Sequence, residues 1–278
     1  MSVRSARYNL LSLRNPKGLT VIPEERDAWA FLDAAKITSS RQQRAVIELV
    51  RGLKHAQLWS KMKAIYPFVG GTATTHKFNL KDPRDADAAF RLSFSGGWTH
   101  STTGVDPNGT NAYADTFLIP STQLTYTDSH GSVYIREDIA GDSRQIEYGS
   151  YVGSPNRLFG LYSRYLNNTD ADIGDFNTSR ITVSNTDSRG YYMVRRNSNS
   201  NLRLYKNGTT AGTNTNNDTS GLPTNSIYLS AVAVTGTIVQ YSPRQIAFAT
   251  FGQAITDTDA TALYNIVQRF QTSLGRQV

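Results

Sequence analysis

Cysteine is absent from the 278 residues, so neither disulfides nor thiolate metal sites can hold this fold together. No apolar run is long enough to cross a bilayer; the stretch SIYLSAVAVTGTIVQY is too short and too polar. The opening MSVRSARYNLLSLRN has arginines but no apolar centre, so no secretion signal is expected. Charged residues are scarce, at 18%. There is no Gly-x-x-x-x-Gly-Lys loop for nucleotide phosphates and no Gly-x-Ser-x-Gly nucleophile elbow. His55, His76, His100 and His130 are scattered and match no zinc spacing, so packing or turn hydrogen bonds account for them.

What fills the composition instead is Ser, Thr, Asn and Gly, the residues of many short strands joined by turns. In NLRLYKNGTT, Leu202 and Leu204 alternate with Arg203 and Tyr205, and Asn207-Gly208 supplies the positive φ angles of a tight hairpin. Similar alternating stretches, among them FRLSFSGGW, SVYIRE, RQIEYGSYV, RLFGLYS, GYYMVRR and QIAFATFG, recur from residue 64 to about residue 255. No crossover helices lie between them, which argues against a parallel α/β fold. The expected class is mainly β, an antiparallel sandwich or jelly roll. A helix opening at Thr256, with Asp259 three residues on, closes it.

Residues 1–63 read differently, as a basic arm with two helices. Pro23-Glu24-Glu25 starts one helix, and Ser39 or Ser40 can cap the next. This segment holds 12 Lys and Arg against 5 Asp and Glu, and the remainder holds 17 of each, so the whole net charge of +7 sits here. Val46, Leu49, Val50 and Leu53 form an apolar stripe flanked by Arg41, Arg44, Arg51 and Lys54. The expectation is an anchoring or oligomerising segment, 1–63, joined to a jelly roll, 64–278. Its charges alternate with carboxylates rather than forming a dense basic run, so an acidic protein surface fits better than nucleic acid.

The LYKNG hairpin followed by RQIAFATFG resembles the late part of the concanavalin A-like, laminin G-like jelly-roll superfamily. More specifically, LWSKMKAIYPFVGGTATTHKFNLKDP, FSGGWTHSTTGVDPNGTNAYADTFLIPS and the ending FQTSLGRQV resemble phage structural proteins of the crAss-like and related Bacteroidetes phages. That resemblance covers most of residues 27–278, and the first 26 residues lie outside it. It implies a virion surface component, such as a fibre, appendage or decoration protein, with a lectin-like jelly roll suited to attachment to host glycans.

The superfamily includes glucanases, so catalysis must be weighed. Their Glu-x-Asp-x-Glu strand is missing; beyond Glu48 only Glu137 and Glu147 remain. Placed diagonally across a hairpin, those two would stand roughly 7–8 Å apart, against the about 5–5.5 Å of a retaining pair. They read as solvent-facing hairpin charges partnered by Arg136 and Arg144. Asn168, Asp170, Asp172 and Asp175 in NNTDADIGDFN make an oxygen-rich stretch, a candidate calcium loop, although the glycine falls one place late for an EF-hand and the distal glutamate is absent. Asx turns explain the same residues. A sugar platform needs an exposed aromatic, and Trp98, Tyr113, Tyr191 and Tyr192 are the candidates. The resulting expectation is a non-enzymatic phage virion component without a required cofactor, made in the host cytoplasm. Its first 63 residues would meet other virion proteins or a second copy, with packing of their apolar stripe on the chain's own jelly roll as the third arrangement the sequence allows. A glucanase-like enzyme and a free lectin are the alternatives.

Overall fold

The computed structural model describes residues 22–278, so the first 21 residues of the basic arm lie outside the described residues. After a short turn at Pro23–Glu25, helix α1 spans Arg26–Ala34 and α2 spans Ser40–His55. Three helical turns of four residues follow within the β region: α3 (Ala73–His76), α4 (Pro120–Gln123) and α5 (Phe176–Ser179). Helix α6 (Asp257–Leu274) closes the described chain.

Seventeen strands occur among the described residues. The first five are β1 (Met62–Tyr66), β2 (Ser93–Ser95), β3 (Trp98–Ser101), β4 (Gly104–Pro107) and β5 (Tyr113–Asp115). Longer strands follow: β6 (Ser129–Ile135), β7 (Tyr148–Gly153), β8 (Asn156–Tyr165), β9 (Asn168–Asp175) and β10 (Ile181–Ser184). Then come β11 (Gly190–Ser198), β12 (Asn201–Lys206), β13 (Thr209–Asn214) and β14 (Tyr228–Leu229). Last are β15 (Val232–Val234), β16 (Thr237–Val239) and β17 (Ile246–Gly252). One sheet runs β13-β12-β11-β6-β17-β4-β3 with β1 added to β17, and the other runs β10-β9-β8-β7-β14-β5-β2. All the strand pairs in both sheets are antiparallel, which is the expected sandwich of jelly-roll type.

Alternation along the strands of the larger sheet makes two cores. Val133, Ile135, Tyr192, Val194, Leu202, Leu204 and Phe251 point between the sheets. Tyr134, Tyr191, Met193, Tyr205 and Phe248 point the other way, where α1, α2 and α6 cover them. Successive residues thus serve opposite faces, as the two-residue period of a strand requires. The Leu202/Leu204 and Arg203/Tyr205 division holds, and Asn207 and Gly208 form the turn at φ 52° and 76°. The turn lies against α6 on one side, where a Cβ on Gly208 would meet the Tyr264 ring at 2.8 Å, while Asn207 is exposed.

The helical segment is part of this packing. Val46, Leu49, Val50 and Leu53 are all buried, sharing one cluster with Leu263, Val267, Phe270, Tyr134 and Phe248. Each such side chain gains about 1.5–3 kcal/mol on full burial. The stripe expected to reach a partner is therefore covered by its own jelly roll and α6, and residues 22–63 are not a separate body. Arg51 pairs with Glu25 and Glu48, and Lys54 with Asp27, which ties α2 to the first turns of the described chain. Ser39 stands at the start of α2 without a side-chain cap, whereas Thr256 and Asp259 form a full capping box on α6. Beyond Gly275, the buried Arg276 donates to the carbonyls of Pro67, Phe68 and Ala247 at 2.6, 2.8 and 2.9 Å, pinning the helix end to the sandwich.

Candidate functional site

On the outer face of the smaller sheet, Gly149 of β7 stands directly opposite Gly160 of β8. Neither has room for a side chain, since a Cβ at either position would come within 2.9 Å of Ile146 Cδ1. The glycine gap lets Ile146 and Val232 settle onto the sheet, and the neighbours two residues along, Tyr151, Leu158 and Tyr162, rise around them. The β15–β16 hairpin, turning at Thr235-Gly236, brings Val234 and Gln240 to one side. Helical turn α5 brings Phe176 to another. The result is a cavity of about 280 Å³. That volume suits a single small ring rather than a long oligomer.

Its polar groups are placed by pairing. The Tyr162 hydroxyl donates to Gln240 Oε1 at 2.7 Å, and burial, followed by the nearby Asp172 carboxylate, pushes that phenol up to about 12. Guanidinium groups of Arg144 and Arg180 each lie 5.6 Å from the Tyr162 ring. Arg144 also lies 5.1 Å from the Tyr165 ring, and Arg180 lies 5.1 Å from Phe176. Tyr151 and Phe176 have ring centroids 6.1 Å apart at an interplanar angle of 38°, an aromatic wall. Among the described residues Arg144 forms no ion pair, so its charge remains available to a ligand.

Asp170 and Asp172 stand behind this wall. They belong to the strand β9, not to a loop, which corrects the calcium expectation. Arg180 Nε donates to both oxygens of Asp172 at 3.0 and 3.1 Å, and Arg180 Nη1 lies 3.5 Å from Asp170. A guanidinium thus occupies the place that a cation would take. Thr182 donates to Asp170 at 2.7 Å. Asp175 lies beyond Gly174 and accepts from the Asn177 amide, capping α5, while Asn168 bonds back to the Leu166 carbonyl. Among the described residues no group of three or more His, Asp or Glu could hold a metal ion. Burial raises Asp172 to about 6 in spite of Arg180.

The other expected site residues do not converge there. Tyr191 and Tyr192 are buried on opposite faces of β11, so both are core residues and neither is a platform. Trp98 and Tyr113 are brought together where the edge strands of the two sheets meet, and both are half-buried. There the indole N–H of Trp98 is already committed to the carbonyls of Ser95 and Tyr113, at 2.9 and 3.2 Å. Glu147 is not a solvent-facing hairpin charge partnered by Arg144. It is fully buried and accepts from Arg244, Ser163 and Ser242. Of the basic residues expected to anchor, Arg41 and Arg44 are exposed, whereas Arg51 and Lys54 are tied to their own chain. Tyr151, Tyr162, Phe176, Arg180 and Gln240 were not among the expected site residues. A signal for two of them was present, since Gly-Ser-Tyr at 149–151 and Gly-Leu-Tyr at 160–162 repeat one glycine-aromatic spacing on successive strands.

No protein-family model and no curated protein matches the sequence. Among solved structures, a botulinum neurotoxin type C chain aligns over 77% of this chain and 53% of its own (TM-score 0.52, 11% identity). Cell entry of that toxin is dependent upon interaction with two ganglioside molecules. The Trypanosoma rangeli sialidase, in complex with 2,3-difluoro-KDN, aligns over 80% of this chain and 39% of its own (TM-score 0.51, 8% identity). Domain 4 of AbnA, a GH43 extracellular arabinanase from Geobacillus stearothermophilus solved with arabinotriose, aligns over 73% and 98% (TM-score 0.48, 11% identity). The chain spans about half the toxin chain and two fifths of the sialidase. At these identities the likeness shows the fold alone, a β sandwich.

Proposed function

We propose that this chain is a glycan-binding jelly roll without catalytic activity, displayed on the surface of a phage particle. The observation that carries the sugar reading is the cavity at Tyr151, Tyr162 and Phe176, where an aromatic wall meets Arg144, Arg180 and Gln240. Apolar C–H faces of a sugar ring would lie on the rings, and its hydroxyls would take the amide and guanidinium groups. Both the ganglioside-dependent toxin and the sialidase share the sandwich, which is consistent with this use of the fold. The virion placement rests on the resemblance of residues 27–278 to phage structural proteins. One shallow cavity implies weak single-copy binding, so attachment would draw on many copies.

The test is a glycan array probed with the clustered full chain. Binding that disappears in Tyr162→Ala and Phe176→Ala, and persists in Trp98→Ala, supports the reading. Binding indifferent to the first two changes overturns it. Electron cryomicroscopy of whole particles tests the placement, which fails if the chain is absent from them.

A glycan-active enzyme is the second reading. Asp170 and Asp172 occupy alternate positions of one strand beside the cavity, and Asp172 is raised to about 6, as an acid catalyst requires. Arg180 spanning both carboxylates favours the binding reading. Release of reducing sugar by the full chain, lost in Asp172→Asn, would reverse that order.

A further inference from the structure

A second cavity lies elsewhere, in the groove between α2 and α6, with a volume of about 710 Å³. The two helices approach closely at one end, where a Cβ on Gly52 would meet Ile266 Cγ2 at 3.3 Å. Toward the other end, Arg41 donates to the Ser273 carbonyl at 2.6 Å. Between these contacts the floor is apolar, made by Ala45, Leu49, Ile266 and Phe270. Arg44 and Arg269 stand exposed at the rim, one on each helix. Neither has an ion-pair or hydrogen-bond partner among the described residues, in contrast to Arg51, which Glu25 and Glu48 hold.

We infer that this groove docks an acidic amphipathic helix of a partner protein. An apolar trough between two helices is the receiving half of helix-in-groove recognition, read by apolar anchors one turn apart. Unpaired arginines on both walls call for carboxylates on both flanks of that helix, each able to take a charge-assisted hydrogen bond. The chain's own first 21 residues are ill suited, because they carry Arg4, Arg7, Arg14 and Lys17 and no acidic residue. A second copy would bring the same arginines against this face. Nucleic acid would leave the apolar floor unfilled. The proposal does not depend on the sugar cavity, which lies on the opposite sheet.

A yeast-displayed library of random peptides, roughly 16 residues long to span about four helical turns, panned on the full chain, tests it. Enriched peptides are expected to repeat apolar residues at helical spacing with Asp or Glu on both flanks. Their affinity is expected to fall about tenfold or more with Arg44→Glu plus Arg269→Glu, and to fall as salt is raised from about 50 to about 500 mM. Both residues are exposed, so the variant should fold, and circular dichroism checks this. No enrichment, a neutral or basic consensus, or binding indifferent to the double variant overturns the proposal. So does the alternative pattern in which the variant abolishes self-association or oligonucleotide binding while no acidic helix is selected.

Discussion

The Glu147 carboxylate, just before β7, accepts a hydrogen bond from Arg244 at 2.8 Å, with both side chains fully buried. Ser163 and Ser242 complete the carboxylate's partners at 2.6 and 2.8 Å. Removing one member leaves the other as an uncompensated buried charge. Glu147→Gln is expected to cost about 3–5 kcal/mol of unfolding free energy, while Glu147→Leu combined with Arg244→Met recovers most of it. Urea denaturation of the three proteins decides the matter, and a single-variant loss below about 1 kcal/mol would show that the pair is dispensable.

Two buried histidines set the acid limit. Burial lowers His76 to about 3, assisted by the charges of His100 and Arg276, and burial lowers His130 to about 4. His76 Nε2 accepts from the Gly71 amide and its Nδ1 faces His100 Nδ1 at 3.0 Å, so a proton has no welcoming place. In the unfolded chain each titrates near 6.5, so below that pH the unfolded state binds more protons. Stability is then lost as pH falls from about 6.5 towards 4, at up to about 1.4 kcal/mol per pH unit for each histidine. Thermal melts between pH 7 and 4.5 should show this decline, with a shallower slope in His130→Gln.

Asp172 works in the opposite direction over much of the same range. Its folded value of about 6 lies above that of a free carboxyl, because burial outweighs the help from Arg180. The folded state therefore holds this proton more tightly, and the contribution is present below about pH 4 and lost as pH rises through 6. Asp172→Asn removes that compensation. The variant should lose stability more steeply on acidification from pH 6.5 to 4 than the parent does. A slope equal to or shallower than the parent's would mean that Asp172 is ionised throughout.

Much of the fold was legible because strands announce their two-residue period. Leu202/Leu204 against Arg203/Tyr205, the Asn207-Gly208 turn and the Thr256–Asp259 cap all lie where local pattern places them. The helical turn Ala73–His76 was not anticipated, and it is set by Thr72, whose hydroxyl caps it. The aromatic cavity was not legible since it draws on β7, β8, α5 and the β15–β16 hairpin. No local pattern says that Tyr162 will stand between Arg144 and Arg180. Tyr191 and Tyr192 misled for a related reason, as neighbouring aromatics on a central strand serve the two cores on either side of it.

The same logic reverses the expectation for the amino-terminal segment. Leu49 and Val50 pack with Val267, Phe270 and the outward residues of the larger sheet in one continuous cluster. Deleting residues 22–63 together with what precedes them would leave Tyr134, Met193, Phe248 and the inner face of α6 without cover on one side. An apolar patch of that kind drives association. The truncated chain is therefore expected to aggregate or melt well below the parent rather than to persist as a soluble β domain. Leu49→Ala in the full chain should cost about 2–5 kcal/mol through the cavity it opens. By contrast Arg44→Glu, at the exposed rim, should shift stability by no more than about 0.5 kcal/mol. Size-exclusion chromatography of the truncation and urea melts of the two point variants provide the measurements. A monomeric, cooperatively folding truncation, with Leu49→Ala as mild as Arg44→Glu, would show that the helices only rest on the sandwich.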